Sequence, residues 1–292
     1  METDGECGMN RQLRRRTIQV FLLAALLYIG ECAYMWGTQK SHIFEPTHVM
    51  QTTPDRMGVK YEELDIPSGK GEDKGELDAW WIPADNPENA PTMLYLHGND
   101  RNISNNLENT LRLHKMGYNV FLPDYRGYGK SSGGKPSESK VYEDAESAWQ
   151  YLVKWRGLDP HKTFIYGHSL GGAIAIDLAI HHPEAAGLVT ESTFTSMKAM
   201  GEINYGYLPV GVLLNQRFAS LKKIPALNIP LLIIHGTWDQ RVPVEMGKRL
   251  YAAAPEPKKL LLIEGGEHSN SSAIGWVEYR DAMADFVKRY MK

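Results

Sequence analysis

Residues 163–172 read TFIYGHSLGG, and this stretch decides the fold. The first four residues are β-branched or aromatic, which predicts a short buried strand. The next segment, from Ala173 to Ile180, has the composition of a helix. Ser169 therefore lies in a sharp turn from strand to helix, where backbone geometry forces positive φ and Gly167 and Gly171 leave the space. The pattern predicts that Ser169 is a nucleophile; a serine placed by chance in a glycine-rich turn is the alternative.

The composition excludes some classes of function. The chain has 292 residues and a formal net charge of -3, which gives no reason to expect a nucleic-acid partner. Its two cysteines, Cys7 and Cys32, both precede the globular part. The folded domain is therefore predicted to have no internal disulfide and no thiolate metal cluster. The remaining sequence suggests no metal or cofactor.

The N-terminal segment has the pattern of a membrane anchor. An apolar run from Thr17 to about Gly37 is close to the roughly 20 residues that a membrane helix needs, and Tyr34 and Trp36 lie at its far end, as interfacial aromatic residues do. It follows a basic cluster of four arginines: Arg11, Arg14, Arg15 and Arg16. We expect the arginines to stay in the cytoplasm, so that a single-pass anchor places the catalytic domain on the extracytoplasmic side.

Three other interpretations of this segment are less favoured. A cleaved signal peptide has a suitable apolar length here, but no clean Ala-x-Ala site follows. A lipoprotein signal would use Cys32, which the preceding Glu31 disfavours. A transit peptide is disfavoured by acidic residues near the N-terminus. The predicted organisation is a basic tail over 1–16, an anchor over 17–38, a linker over 39–56 and one domain over 57–292.

The rest of the chain predicts an α/β domain. A hairpin over about 59–82 precedes apolar strands that alternate with helical segments, which is typical of parallel pairing with helices on both faces of a sheet. We therefore expect a mostly parallel eight-stranded sheet. A short segment between Phe194 and Pro230 interrupts the pattern and predicts a cap. Its apolar residues fit a lid over an acyl pocket, or an ordinary helix that packs on the sheet.

Several motifs together resemble those of the α/β-hydrolase superfamily, in particular membrane-anchored abhydrolase-domain serine hydrolases related to the serine aminopeptidases. The resemblance covers about residues 57–290 and implies the α/β-hydrolase fold. It is carried by the turn at 167–171 and by five further motifs: HGN at 97–99, DYRGYG at 124–129, ESTF at 191–194, HGTWD at 235–239 and GEH at 266–268.

The superfamily order of nucleophile, acid and histidine assigns a catalytic triad. Ser169 is the nucleophile, Asp239 follows an apolar strand as the acid, and His268 lies in a glycine-rich loop as the base. Glu191, at the end of the strand after the turn, is the rival acid. The backbone N–H groups of Leu170 and Asn99 are the predicted oxyanion donors, although Asp100 and Arg101 replace the small residues that the family often has there.

These motifs predict a serine hydrolase that cleaves carboxylic esters or thioesters through an acyl-serine intermediate, with lipid-like acyl substrates favoured. A peptidase of the serine-aminopeptidase type is the first alternative. A hydrolase-fold binding protein without catalysis is the second. The expected partners are a small-molecule or lipid acyl substrate and the membrane, whereas the sequence leaves the oligomeric state open.

Overall fold

A computed structural model describes the backbone of residues 3–292 and the side chains from residue 13 onward. The predicted basic tail over 1–16 is thus only partly covered. Met1, Glu2 and the side chains of Cys7 and Arg11 lie outside the described residues. Within the described part, a helix runs without a break from Thr3 to Ile43, through the predicted tail and anchor.

The catalytic domain is built on an eight-stranded sheet, as predicted. The strands are β2 (Glu62–Ser68), β3 (Gly75–Ile82), β4 (Thr92–Leu96), β6 (Asn119–Pro123), β7 (Thr163–His168), β8 (Gly187–Glu191), β9 (Leu231–Gly236) and β10 (Lys258–Ile263); β1 (Glu45–Pro46) and β5 (Asp100–Arg101) form a separate pair. The spatial order is β10-β9-β8-β7-β4-β6-β3-β2. The six strands from β10 to β6 in this order are parallel, and the hairpin strand β3 pairs antiparallel with both of its neighbours.

Helices cover both faces of this sheet. After the N-terminal helix α1 (Thr3–Ile43), which extends away from the sheet, the helices are α2 (Leu107–Lys115), α3 (Glu138–Gln150), α4 (Leu170–His181), α5 (Met197–Asn204), α6 (Val210–Leu213), α7 (Ser220–Lys223), α8 (Val244–Ala253), α9 (Ser271–Ile274) and α10 (Trp276–Tyr290). The cap predicted between Phe194 and Pro230 contains α5, α6 and α7.

The central strands are buried on both faces because their side chains alternate between two cores. Leu94 and Ile165 belong to the core that includes α3 and α4, whereas Met93 and Phe164 belong to the opposite core, with α2 and α10. Every residue of β4, β7 and β9 is buried. Slipping one of these strands by a single residue would exchange its two faces, so the two cores fix the register.

The predicted linker over 39–56 is not a free tether. Ile43 and Phe44 are buried in the domain core. The next two residues form β1, which pairs in parallel with β5: Glu45 lies opposite Asp100, and Pro46 lies opposite Arg101. The N-terminal helix is therefore joined directly to the loop that follows β4.

The parallel strands end at one edge of the sheet, and this edge gathers the predicted site residues. The loop after β4 carries Asn99, the turn after β7 carries Ser169, and the loop after β9 carries Asp239. His268 follows β10. Ligands of open α/β sheets bind at the carboxyl ends of the strands, so the topology places these residues where such a site is expected.

Buried charge supports the loop after β6. The Arg126 side chain is fully buried, and its guanidinium donates to the carboxylates of Asp144 and Glu143, with 2.6 Å between the atoms in each pair. Asp124, also buried, accepts from the Ile103 N–H at 3.0 Å. Both residues hold the loop in place.

Unlike these buried charged residues, Asp78 on β3 destabilises the fold. Its side chain is buried, one carboxyl oxygen has no hydrogen-bond partner, and burial, with the nearby Asp124, raises its pKa to about 7. The folded chain therefore keeps this proton up to about pH 7, whereas an unfolded chain releases it near pH 4. The contribution of Asp78 to stability thus decreases as the pH rises from about 4 to about 7.

We expect Asp78→Asn to stabilise the fold by about 1–3 kcal/mol at pH 8, because the amide removes the ionisation that burial opposes. The gain should shrink as the pH is lowered and nearly vanish at about pH 4. Denaturant unfolding at several pH values measures it. The exposed Asp85, in the loop after β3, provides the control Asp85→Asn, which should leave stability within about 0.5 kcal/mol. A gain for Asp78→Asn that is equal at all pH values would contradict this account.

Candidate active site

The turn after β7 has the backbone geometry that the sequence predicted. Ser169 has φ of 54° and ψ of −119°, in the left-handed half of backbone space that L-residues rarely adopt. A Cβ on Gly171 would lie 1.9 Å from the Leu96 carbonyl oxygen, so only glycine lets α4 approach β4 this closely. The turn is held by the Ser169 N–H, which donates to the Glu191 carbonyl, and by the Thr193 hydroxyl, which donates to the Ser169 carbonyl.

The structure brings the three predicted triad residues into one chain of hydrogen bonds. The Ser169 Oγ lies 3.0 Å from the His268 Nε2. The His268 Nδ1 lies 2.9 Å from the Asp239 Oδ2. This arrangement requires the proton of neutral His268 to be on Nδ1, which leaves Nε2 free to accept the serine proton.

Asp239 is held as a carboxylate. Its side chain is fully buried, and its Oδ1 accepts from the N–H groups of Arg241 and Val242 at 2.9 and 2.8 Å. Burial alone would raise the pKa of Asp239, but the rings of His235 and His268 and the Val242 N–H outweigh it and keep this pKa well below its usual range. The carboxylate is therefore available to orient neutral His268.

The rival acid, Glu191, lies elsewhere. Its buried carboxylate accepts from the hydroxyl of Tyr166, which also lies 2.9 Å from the hydroxyl of Tyr279. These contacts belong to the core on the opposite face of the sheet, where burial raises the pKa of Tyr166. In the structure the partner of His268 is Asp239, not Glu191.

The two predicted oxyanion donors border the nucleophile. Leu170 begins α4, so its N–H has no acceptor within the helix. On the other side, a Cβ on Gly98 would lie 3.4 Å from the Ser169 Cβ, which places the loop after β4 against the serine. The two segments that carry the predicted donors therefore border Ser169, and the oxyanion roles of the Leu170 and Asn99 amides stay predictions.

Hydrogen bonds to its flanking carbonyl groups fix the orientation of Asn99. The His97 Nδ1–H donates to the Gly98 carbonyl at 2.7 Å. In the trans peptide between Gly98 and Asn99, the Asn99 N–H points in the direction opposite to this carbonyl. The Asn99 carbonyl accepts from the Tyr128 hydroxyl at 2.9 Å and from the Glu45 N–H at 3.1 Å. The Asp100–Arg101 pair, unusual for the family, thus forms the strand that receives β1.

Two supporting features were not predicted from the sequence. The buried His168 donates from Nε2 to the His268 carbonyl at 2.9 Å and so ties the histidine loop to the turn; burial lowers the pKa of His168, which keeps its ring neutral. The sequence signal that could have indicated this role is the position of His168 directly before the predicted nucleophile. The second feature is β1, whose two residues carry no detectable periodicity.

A polar cleft of about 100 Å³ opens at Ser169. Its walls include His268 and side chains from the loop after β4, from α2 and from the loop after β9: Asn99, Asn105, Asn106, Asn109 and Arg241. The asparagines and the arginine offer hydrogen-bond donors to a polar or anionic group of a substrate. In the described part of the chain no three His, Cys, Asp or Glu side chains are grouped to hold a metal ion.

This fold and these hydrogen bonds define an α/β hydrolase, and comparisons with known proteins agree. The profile of the serine aminopeptidase S33 family matches residues 87–222. The chain is similar to protein Rv2307c of Mycobacterium tuberculosis, with 32% identity over 279 residues that cover 94% of this chain and 96% of that protein. It is also similar to protein bem46 of Schizosaccharomyces pombe, with 33% identity over 71% of this chain and 70% of that one.

Among solved structures, an esterase of Pyrococcus furiosus superposes with a TM-score of 0.66 and 24% identity, over 86% of this chain and 98% of that one. This likeness shows the fold. The relatives and the S33 profile show that the chain belongs to the α/β-hydrolase superfamily.

The contacts of the two candidate acids predict different effects of their amide variants. Asp239→Asn should leave the protein folded but reduce kcat by about 10⁴, because the amide favours the wrong tautomer of His268. Glu191→Gln should change kcat less than about tenfold, since Glu191 contacts tyrosines rather than His268. Steady-state kinetics on a short-chain ester, with circular dichroism to verify folding, compares the two. The reverse ranking would reject Asp239 as the acid.

Proposed function

We propose that the protein is a membrane-tethered serine hydrolase that cleaves carboxylic esters or thioesters through an acyl-Ser169 intermediate. The observation that carries this proposal is the continuous hydrogen-bond chain from Ser169 through His268 to Asp239. A serine hydroxyl is a weak nucleophile until a positioned base accepts its proton, and this chain supplies the base and its orienting group.

In the first half of the reaction, the Ser169 Oγ attacks the carbonyl carbon of the substrate while its proton moves to the His268 Nε2. The negative charge that develops on the carbonyl oxygen is stabilised by the Leu170 and Asn99 N–H groups. The bond to the leaving group then breaks, and His268 gives its proton to the departing alkoxide or thiolate. Ser169 remains acylated.

In the second half, water takes the place of the leaving group. His268 removes a proton from this water as its oxygen attacks the acyl carbon, and the bond to the Ser169 Oγ breaks. The serine oxygen recovers a proton from His268, and the carboxylic acid leaves. Asp239 remains ionised throughout and stabilises the positive charge on His268.

The cleft favours an ester over a peptide substrate. An aminopeptidase must bind a free substrate amine, and a buried carboxylate is the usual counter-charge. Of the residues that line the cleft, Asp100 is the one carboxylate, and its side chain is about half exposed and lies near Arg101. The similar P. furiosus structure is that of an esterase, which is a further argument for ester substrates.

The peptidase alternative rests on the S33 family description. Aminoacyl p-nitroanilides and p-nitrophenyl acyl esters release the same chromophore, so the two activities can be compared directly. Faster turnover of the anilides would favour the peptidase.

The nucleophile is tested with Ser169→Ala. This variant should lose labelling by a fluorophosphonate probe and about 10⁴–10⁶ in kcat, because no other group forms the acyl intermediate. Ser139→Ala is the matched control: Ser139 is an exposed serine on α3, and its variant should label and react as the unmodified chain does. Undiminished ester hydrolysis by Ser169→Ala would reject the nucleophile, whereas an unmodified chain that neither labels nor hydrolyses would indicate a binding protein.

The membrane part of the proposal concerns α1. This helix is long and apolar enough over Leu13–Ile43 to cross a membrane, and its large apolar side chains are exposed along Val20–Leu27. We propose that the arginines before it remain cytoplasmic and that the catalytic domain is extracytoplasmic.

A protease-protection assay tests this topology. In sealed right-side-out vesicles, added protease should cleave the catalytic domain without detergent, since the positive charges fix the N-terminus on the inner side. Vesicles of inverted orientation serve as the control and should protect the domain. Protection in right-side-out vesicles would reverse the proposed orientation.

A further inference from the structure

An open groove lies next to the polar cleft at Ser169. It runs between the loop after β9, which contributes Trp238 and Arg241, and the loop after β10, which contributes residues 267–270. Its volume is about 450 Å³, within the range of about 300–1,000 Å³ that is usual for ligand pockets. The cleft has only about 100 Å³, whereas one water molecule takes about 30 Å³ of the liquid. The cleft therefore accepts a small part of a substrate, and the groove has room for the larger part.

Arg241 lies where the two spaces meet, since it lines both the cleft and the groove. Its backbone N–H donates to the Asp239 Oδ1 at 2.9 Å, and the Val242 N–H donates to the same oxygen at 2.8 Å. The Val242 carbonyl lies 2.9 Å from the His235 Nε2. These contacts fix the backbone of Arg241 next to the predicted acid, while its side chain is exposed at the junction of cleft and groove.

The Arg241 guanidinium has no counter-ion in the described part of the chain. Among the side chains of residues 13–292 it forms no ion pair. The two carboxylates that line these spaces contact other groups. The Asp100 carboxylate lies 3.6 Å from the Arg101 guanidinium, and the exposed Glu267 accepts from the Asn270 amide at 3.3 Å. A positive charge beside the predicted nucleophile is thus left for a ligand to neutralise.

The cleft also presents a neutral donor, on α2. The Asn109 Oδ1 accepts from the Arg112 guanidinium at 2.6 Å, so the end of Asn109 that remains for a ligand is its amide NH₂. The Arg241 guanidinium carries N–H donors and no acceptor, in a planar fork that matches a carboxylate or a phosphate. Both side chains therefore suit a substrate group made of acceptors, and the charge of Arg241 favours an anion.

We propose that Arg241 binds an anionic group, a carboxylate or a phosphate, of the ester or thioester that Ser169 attacks. The scissile carbonyl lies at Ser169, a small part of the substrate occupies the cleft, and the anion lies at the junction of cleft and groove. This inference rests on the proposed function, because it names the substrate class of the same site. The bound anion also offsets the repulsion between Arg241 and the positive charge that His268 gains during the reaction.

The experiment compares two pairs of esters, each with an anionic and a neutral member. In the pair 1-butyrylglycerol 3-phosphate and 1-butyrylglycerol, the anion is on the leaving group. In the pair monomethyl glutarate and methyl butyrate, the anion is on the acyl group. Titration of the released acid gives kcat/KM for each ester on the full chain in a neutral detergent. The unmodified chain should prefer the anionic member of one pair by about tenfold or more, and that pair identifies the side of the anion.

Arg241→Gln should lower the anionic-to-neutral ratio of kcat/KM about tenfold or more, because the charge-assisted contact is lost. The ratio cancels any effect of the substitution on Asp239 that both esters share. Arg241→Lys keeps the charge without the planar fork and should retain the ratio within about fivefold. Arg249→Gln is the matched control: it removes the same charge from an exposed residue of α8 that lines neither space, and the ratio should stay within about twofold.

Equal anionic-to-neutral ratios in Arg241→Gln and in the unmodified chain would overturn the proposal. A chain that hydrolyses none of the four esters would instead contradict the proposed function, and binding then decides the present inference. Calorimetry on Ser169→Ala measures the affinities for 1-butyrylglycerol 3-phosphate and monomethyl glutarate. Adding Arg241→Gln should weaken one of these affinities about tenfold. Unchanged affinities for both anionic esters would again overturn the proposal.

Discussion

The close approach of α4 to β4 is the constraint on which the active site depends. Gly171 allows the helix to contact the carbonyl of Leu96, and this contact sets the turn at Ser169 beside the loop that carries Asn99. The backbone strain at Ser169 is offset by the bonds of that turn to Glu191 and Thr193, which lie on the neighbouring strand and the loop after it. The predicted nucleophile and oxyanion donors are thus positioned by the backbone, before any side chain of the predicted triad is considered.

Much of the fold could be predicted because its signals are local. Apolar strands such as 231–236, and a turn that requires glycine, can each be recognised within one stretch of sequence. The eight-stranded sheet was predicted correctly from them. The structure also places Ser169, Asp239 and His268 within hydrogen-bond distance of one another, although their catalytic roles stay predictions. The β1–β5 pair escaped prediction, since strands of two residues have no period. The raised pKa of Asp78 escaped it because burial beside Asp124 depends on strands distant in sequence.

The missed strand changes how the N-terminal helix relates to the catalytic domain. The sequence predicted that the anchor ends at 38 and that a linker follows over 39–56. Instead, the helix continues to Ile43, and Phe44 enters the core directly after it. Glu45 then donates to the carbonyl of Asn99, whose amide is a predicted oxyanion donor. A rotation of the helix relative to the cap would act on this loop through one rigid connection, which a flexible tether would not permit.

The same connection separates two environments of opposite polarity. Ile43 lines an apolar cavity between α1 and the cap, and Glu45, two residues later, borders the loop whose Asn99 and Asp100 line the polar cleft. Two residues span at most about 7 Å of extended chain, so one short segment borders both spaces. A substrate with a polar group near its ester and an apolar chain beyond it has the same division of polarity. This division is a further reason to propose lipid-like esters as the substrates.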